Sequence, residues 1–127
     1  MAIRDPVDRN MLRMQVQRYT TRCEAQSGMI QRADSLREIS RLASVPLSYP
    51  LSDEPMARDA QRQLQTQAEE RARDVIVDQI KAFERAEESA QSSLRHNMQE
   101  AWSNLTGPLS HLRVWAVKKL AAAEANR

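Results

Sequence analysis

Glycine occurs twice in this chain and phenylalanine once. Tight turns draw on glycine and strands favour aromatic side chains, so their scarcity argues against β-structure. Cysteine occurs once, at Cys23, which excludes an intrachain disulfide and fits an intracellular protein. Long hydrophobic runs are missing as well, and nothing approaches the ~18 apolar residues that a membrane span requires. The N-terminus has no apolar segment of the kind found in secretory signals, and Asp5 and Asp8 speak against a transit peptide. Val, Ile, Leu and Phe together supply only 24 of the 127 residues, a thin supply for a globular core. The net charge of +2 is too low for charge-driven disorder.

What is abundant is Ala, Gln, Glu and Arg, all strong helix formers. The class expected is therefore all-α, a single elongated domain. Asp5-Pro6 reads as a helix start, since Asp caps well and proline loses nothing at the first helical position. The first helix is expected over 5–43. Leu12, Val16, Tyr19, Cys23, Ile30 and Ala33 recur at three- and four-residue steps, with Gln26 interrupting, and make one apolar face, continued with a slight rotation by Leu36, Ile39 and Leu42. Its weak point is Gln26-Ser27-Gly28, where a kink or split is possible. Pro46, Pro50 and Pro55 hold residues 44–55 out of the helical conformation, which predicts an extended linker.

A second helix is expected over 54–106, stopped by Gly107-Pro108. Its apolar stripe recurs every eleven residues. Ala72, Phe83, Leu94 and Leu105 form one row, and Leu64, Val75 and Ala86 another. That period keeps a seam nearly straight. Gln61, Gln65 and Glu69 fall on the early part of the stripe, so its strong part runs from Val75 to Leu105. A short third helix over 108–126 shows an apolar face of Leu109, Leu112, Trp115, Ala116, Leu120 and Ala123. Trp102 and Trp115 flank the Gly107-Pro108 break, where they are expected to clamp the elbow, or else to anchor a partner.

Charge is unevenly spread: residues 1–43 carry +3, residues 44–107 carry −4 and residues 108–127 carry +3. A basic first helix and an acidic second one suit packing against each other, like a hairpin with coiled-coil-type contacts. Arg13, Arg18 and Arg22 flank the first apolar stripe and have no acid three or four residues away, as partner-selecting charges would. Nucleic-acid binding is not favoured, because the basic residues interleave with acids and stacking aromatics are few. The third helix, with Lys118, Lys119 and a tryptophan, offers at most weak contact with a membrane surface.

The templates of catalysis fail one by one. Only His96 and His111 are available to a nucleophile–histidine arrangement. One cysteine and two histidines at unrelated positions do not make a metal site. No glycine-rich phosphate loop occurs. Glu84, Glu87 and Glu88 surround Arg85 and read as a solvated face. Met11, Met14 and Met29 read as core filling or plain exposure. The expectation is a protein with no catalytic, cofactor or metal site. It would be a structural or assembly subunit that binds itself or a larger complex through long apolar helix stripes. A virion or scaffold component and a nucleic-acid-binding adaptor are the alternatives. The residues expected at the protein interface are Leu12, Val16, Tyr19, Arg13, Arg18, Arg22, Val75, Phe83, Leu94, Trp102, Leu105 and Trp115.

Overall fold

A computed structural model describes residues 6–126 of the chain, and side chains from Arg9 onward. The expected cap Asp5 lies outside the described residues. Five α-helices make up the fold, with no strand among the described residues: α1 (Pro6–Arg32), α2 (Leu36–Ala43), α3 (Pro55–Arg85), α4 (Glu88–Trp102) and α5 (Leu112–Ala125). Short 3-10 turns precede α3 (Leu51–Asp53) and α5 (Gly107–Leu109).

The first expected helix is two helices. α1 passes through Gly28 unbroken and ends at Arg32. The break comes at residues 33–35, where the Ser35 hydroxyl accepts a hydrogen bond from the Glu38 amide and so starts α2. Ser35 and Glu38 have the spacing of a capping box, a signal present in the sequence. Here the Glu38 carboxylate is turned to Arg41 instead of back to Ser35. Arg71 of α3 fixes the break from across the bundle. Its Nε donates to the Ala33 carbonyl at 2.9 Å and its Nη2 pairs with Asp34 at 2.9 Å.

The second expected helix is also two. α3 stops at Arg85, and Ala86 and Glu87 adopt extended backbone before α4 begins. Neither glycine nor proline marks this turn. The Gln91 amide reaches back to donate to the carbonyls of Phe83 (3.3 Å), which also accepts from the Ala86 amide, and of Ala86 (3.4 Å). Gly107 does mark a turn: its φ of +55° is a conformation that favours glycine, and a Cβ there would lie 3.3 Å from the Ser44 hydroxyl.

The two long helices do not form a hairpin. Leu12 and Val16 lie beside Pro55 and Met56, Cys23 and Ser27 beside Ala60 and Gln67, and Ala33 beside Arg71. Residue numbers rise together, so α1 and α3 are parallel neighbours. The chain returns between them through α2 and residues 44–54, a distance of about 24 Å for sixteen residues of α3. This connector is a packed part of the fold. Val45 is buried and Leu47 and Leu51 are half-buried, while Tyr49 points outward and the Tyr49–Pro50 peptide is cis. The carbonyl of Val45 accepts from Tyr19 Oη (3.3 Å) and from Gln61 Nε2 (3.1 Å), which ties the connector to α1 and α3 together.

Beyond α2, the upper half of α3 is flanked by α4 running down and α5 running up. The Trp102 indole N–H donates to Gln79 Oε1 at 2.9 Å, which sets α4 antiparallel to α3. His111 lies beside Glu69 and Trp115 beside Arg73, so α5 climbs parallel to α3. Arg113 closes the end of α4 by donating to the carbonyls of Leu105 (2.7 Å) and Ser103 (3.2 Å). The result is two three-helix arrangements sharing α3. The turn at residues 103–109 joins them, since the Thr106 amide donates to the buried Ser40 hydroxyl of α2 at 3.5 Å. One apolar cluster runs through both halves.

Candidate interaction surface

The apolar stripes expected to meet other chains meet each other instead. Val16, Tyr19, Phe83, Trp102 and Leu105 are buried in the chain's own core, and Val75, Leu94 and Trp115 are half-buried against it. Leu12 is half-buried beside Pro55 and Met56. None of these side chains forms a free stripe, because the breaks at residues 33–35 and 86–87 fold the helices back over them. Of the aromatic candidates, Trp115 alone is near the surface. It sits between Arg73, 5.5 Å from the ring centre, and Lys119, 5.6 Å away, where cation–π attraction replaces an elbow clamp.

The arginine candidates are on the surface. Arg13, Arg18 and Arg22 are all exposed. Arg22 donates from Nε to Gln26 Oε1 at 3.0 Å, and Gln26 in turn donates to the Leu42 carbonyl at 2.7 Å. Among the described residues, Arg13 and Arg18 are in no ion pair, and no ion pair joins α1 to α3. Among the described residues, the opposite charges of α1 and α3 therefore do not meet in ion pairs.

Tyr19 and Cys23 stand one helical turn apart under the connector. Burial is the main reason the Tyr19 phenol is pushed up to about 12, with Cys23 beside it adding to the effect. Burial also raises the Cys23 thiol, against the opposing influence of Tyr19 and Arg22. An unfolded tyrosine loses its proton near 10. Between pH 10 and about 12 the folded chain thus holds a proton that the unfolded chain has released, and stability falls as pH rises through this window. The urea midpoint is expected to drop from pH 9.5 to 11.5, and Tyr19→Phe to flatten that slope; an unchanged slope in the variant would remove Tyr19 as its source.

Three other features complete the surface. A cavity of about 150 Å³ between α1 and α3 is lined by Thr20, Cys23, Glu24, Ser27, Gln63 and Gln67 among others. The Thr20 hydroxyl is buried there without a hydrogen-bond partner. Exposed Met11, Met14 and Met29 stud the outer side of α1. On α5, Val114 and Val117 are 61% and 56% exposed, a second apolar side beyond the one face expected from the sequence. Their spacing from Leu112, Ala116 and Leu120 was the signal, since the two sets lie on different sides of a helix.

Among the described residues no three His, Cys, Asp or Glu side chains gather closely enough to hold a metal ion. No helix among them is long and apolar enough to cross a membrane. The chain matches no family model, no curated protein and no solved structure.

Proposed function

We propose that this protein is a structural subunit of a larger protein assembly and that the outer face of α5 is where it joins. The carrying observation is that α5 is apolar on two sides. Leu112, Ala116 and Leu120 are buried against the bundle, while Val114 and Val117 stand more than half exposed on the other side with Ala121. Between the charged side chains of Arg113 and Lys118 this outer side of α5 is apolar, and the chain itself covers only the inner side. A partner that packs on Val114 and Val117 supplies the rest, and exposed apolar surface of this kind marks contact sites. The fold positions this face rigidly: Arg95 of α4 pairs with Glu124, and Trp115 is held under Arg73.

The test is site-specific photocrosslinking in cells that make the protein. A crosslinker at Val117 is expected to give discrete protein adducts, and one at exposed Arg58 of α3 to give none. Val114→Glu with the crosslinker at 117 should abolish the adducts while circular dichroism stays unchanged, because exposed substitutions cost little stability. Equal labelling at positions 58 and 117, or none at 117, would overturn the reading.

A further inference from the structure

α2 and the connector cover one side of the contact between α1 and α3, the side on which Gln26 and Gln61 reach the carbonyls of Leu42 and Val45. The other side is an uncovered groove. On α1 it is walled by Arg9, Arg13, Thr20 and Glu24, whose steps of four, seven and four residues keep them on one face. On α3 it begins at Met56 and continues through Gln63 and Gln67. The same helical row then runs on past the end of α1 as Glu70, Asp74 and Asp78, all exposed.

One end of this face is therefore basic and the other acidic. Arg9 and Arg13 lie level with Glu54 and Met56, and the middle of Asp74 and Asp78 falls at position 76. The midpoint between the two ends is at Gln63–Gln67, about 15 Å from each. Among the described residues, none of Arg9, Arg13, Glu70, Asp74 and Asp78 takes part in an ion pair. The other charges along the face are Glu54 at the lower rim, Glu24 near the middle, Arg62 beside Gln63 and Gln67 where it pairs with Asp59, and Lys81 and Arg85 beyond Asp78; Arg71 is engaged with Asp34.

We propose that this face is a homodimer interface, on which a second copy of the chain lies antiparallel and crosses obliquely about a two-fold axis near Gln63 and Gln67. A two-fold contact must be complementary to itself, and a face with opposite charges equidistant from its centre is so. The axis brings the Arg9–Arg13 end of each copy onto the Asp74–Asp78 end of the other. At the centre, the amides of Gln63 and Gln67 from the second copy reach the cavity in which the Thr20 hydroxyl lacks a partner. The face is about 35 Å long and roughly 20 Å wide across two helices. That gives roughly 700 Å² per chain, close to the area of a standard interface. The charges set orientation and selectivity, and half-buried Leu12 and exposed Met56 add burial.

This inference is independent of the α5 reading, since α5 packs on the side of α3 that carries Glu69 and Arg73. Sedimentation velocity on the full chain tests it. The wild type is expected to be a dimer that weakens as salt rises. Arg9→Glu/Arg13→Glu sets acid against acid at both ends, and Asp74→Lys/Asp78→Lys sets base against base. Each variant alone should dissociate at least tenfold more readily while remaining helical. Mixed in equal amounts they should form a one-to-one heterodimer, because both ends then match again. Val114→Glu/Val117→Glu should dimerise like the wild type. A monomeric wild type, a dimer indifferent to either reversal, or a mixture that stays monomeric would overturn the proposal and leave the Val117 crosslinks as a separate result.

Discussion

Replacing Phe83 by alanine is expected to cost about 3–5 kcal/mol of stability. Phe83 is 1% exposed and is the largest of the fully buried side chains. It sits two residues before the end of α3, where α4 turns back and α5 arrives. The Arg95 guanidinium lies 5.2 Å from the ring centre and also pairs with Glu124, so the ring underlies the link between α4 and α5. Truncation leaves a cavity that three helices must close, and it takes the cation–π contact with it. Domains of this size have about 5–15 kcal/mol in all, so the variant loses a large share. With a urea slope of about 1–3 kcal/mol/M, the midpoint should fall by roughly 2 M. Phe83→Leu, which keeps most of the volume, should fall by less than half as much. A loss under about 1 kcal/mol for the alanine variant would mean that α4 and α5 do not pack on α3 as described.

The helical class was legible from composition, because scarce glycine and aromatics and plentiful alanine, glutamine and arginine act on every residue of the chain. The Gly107 turn was legible too, since a positive φ has few alternatives to glycine. The break at residues 33–35 was legible in principle from Ser35 and Glu38, but the apolar steps through Ala33, Leu36 and Ile39 continue across it and mask the cap. The break after Arg85 was not legible. Its partner is the Gln91 amide, a polar group on a helical surface like many others, and only the fold shows that it closes α3. The relative direction of α1 and α3 was also hidden. Periodicity gives the face of a helix and not the sense of its neighbour, and a proline-rich linker suited a hairpin as well as a return strap. Those two unseen breaks explain why residues such as Phe83, Trp102 and Leu105, read as a stripe for partners, became core. The arginines fared differently: Arg13 and Arg18 remain exposed and, among the described residues, in no ion pair.

Substituting leucine for Ala68 is expected to destabilise the protein by about 1–3 kcal/mol, although it adds apolar volume. Ala57, Ala68 and Ala72 of α3 are fully buried and Ala60 is nearly so. In the sequence these alanines looked like a weak half of the stripe, diluted by Gln61, Gln65 and Glu69. In the fold they belong to one buried cluster with Tyr19, Cys23, Ile30, Leu36 and Ile39 of α1 and α2. Small residues let two helices approach closely, toward the short end of the 8–10 Å range. Close approach of this kind lets a chain poor in large aliphatic residues fill its core, with the backbone of a neighbouring helix in place of side chains. A leucine at 68 must push α1 away, which would also loosen the Arg71 hydrogen bond to Ala33 and widen the groove that Gln63 and Gln67 line. Ala82→Leu, on the exposed side of the same helix, is the control and should change stability by less than about 0.5 kcal/mol. If alanine stands at 68 only for its helix propensity, Ala68→Leu will behave like Ala82→Leu in denaturant unfolding. If it sets the spacing between α1 and α3, the two variants will separate by the cost of moving a helix.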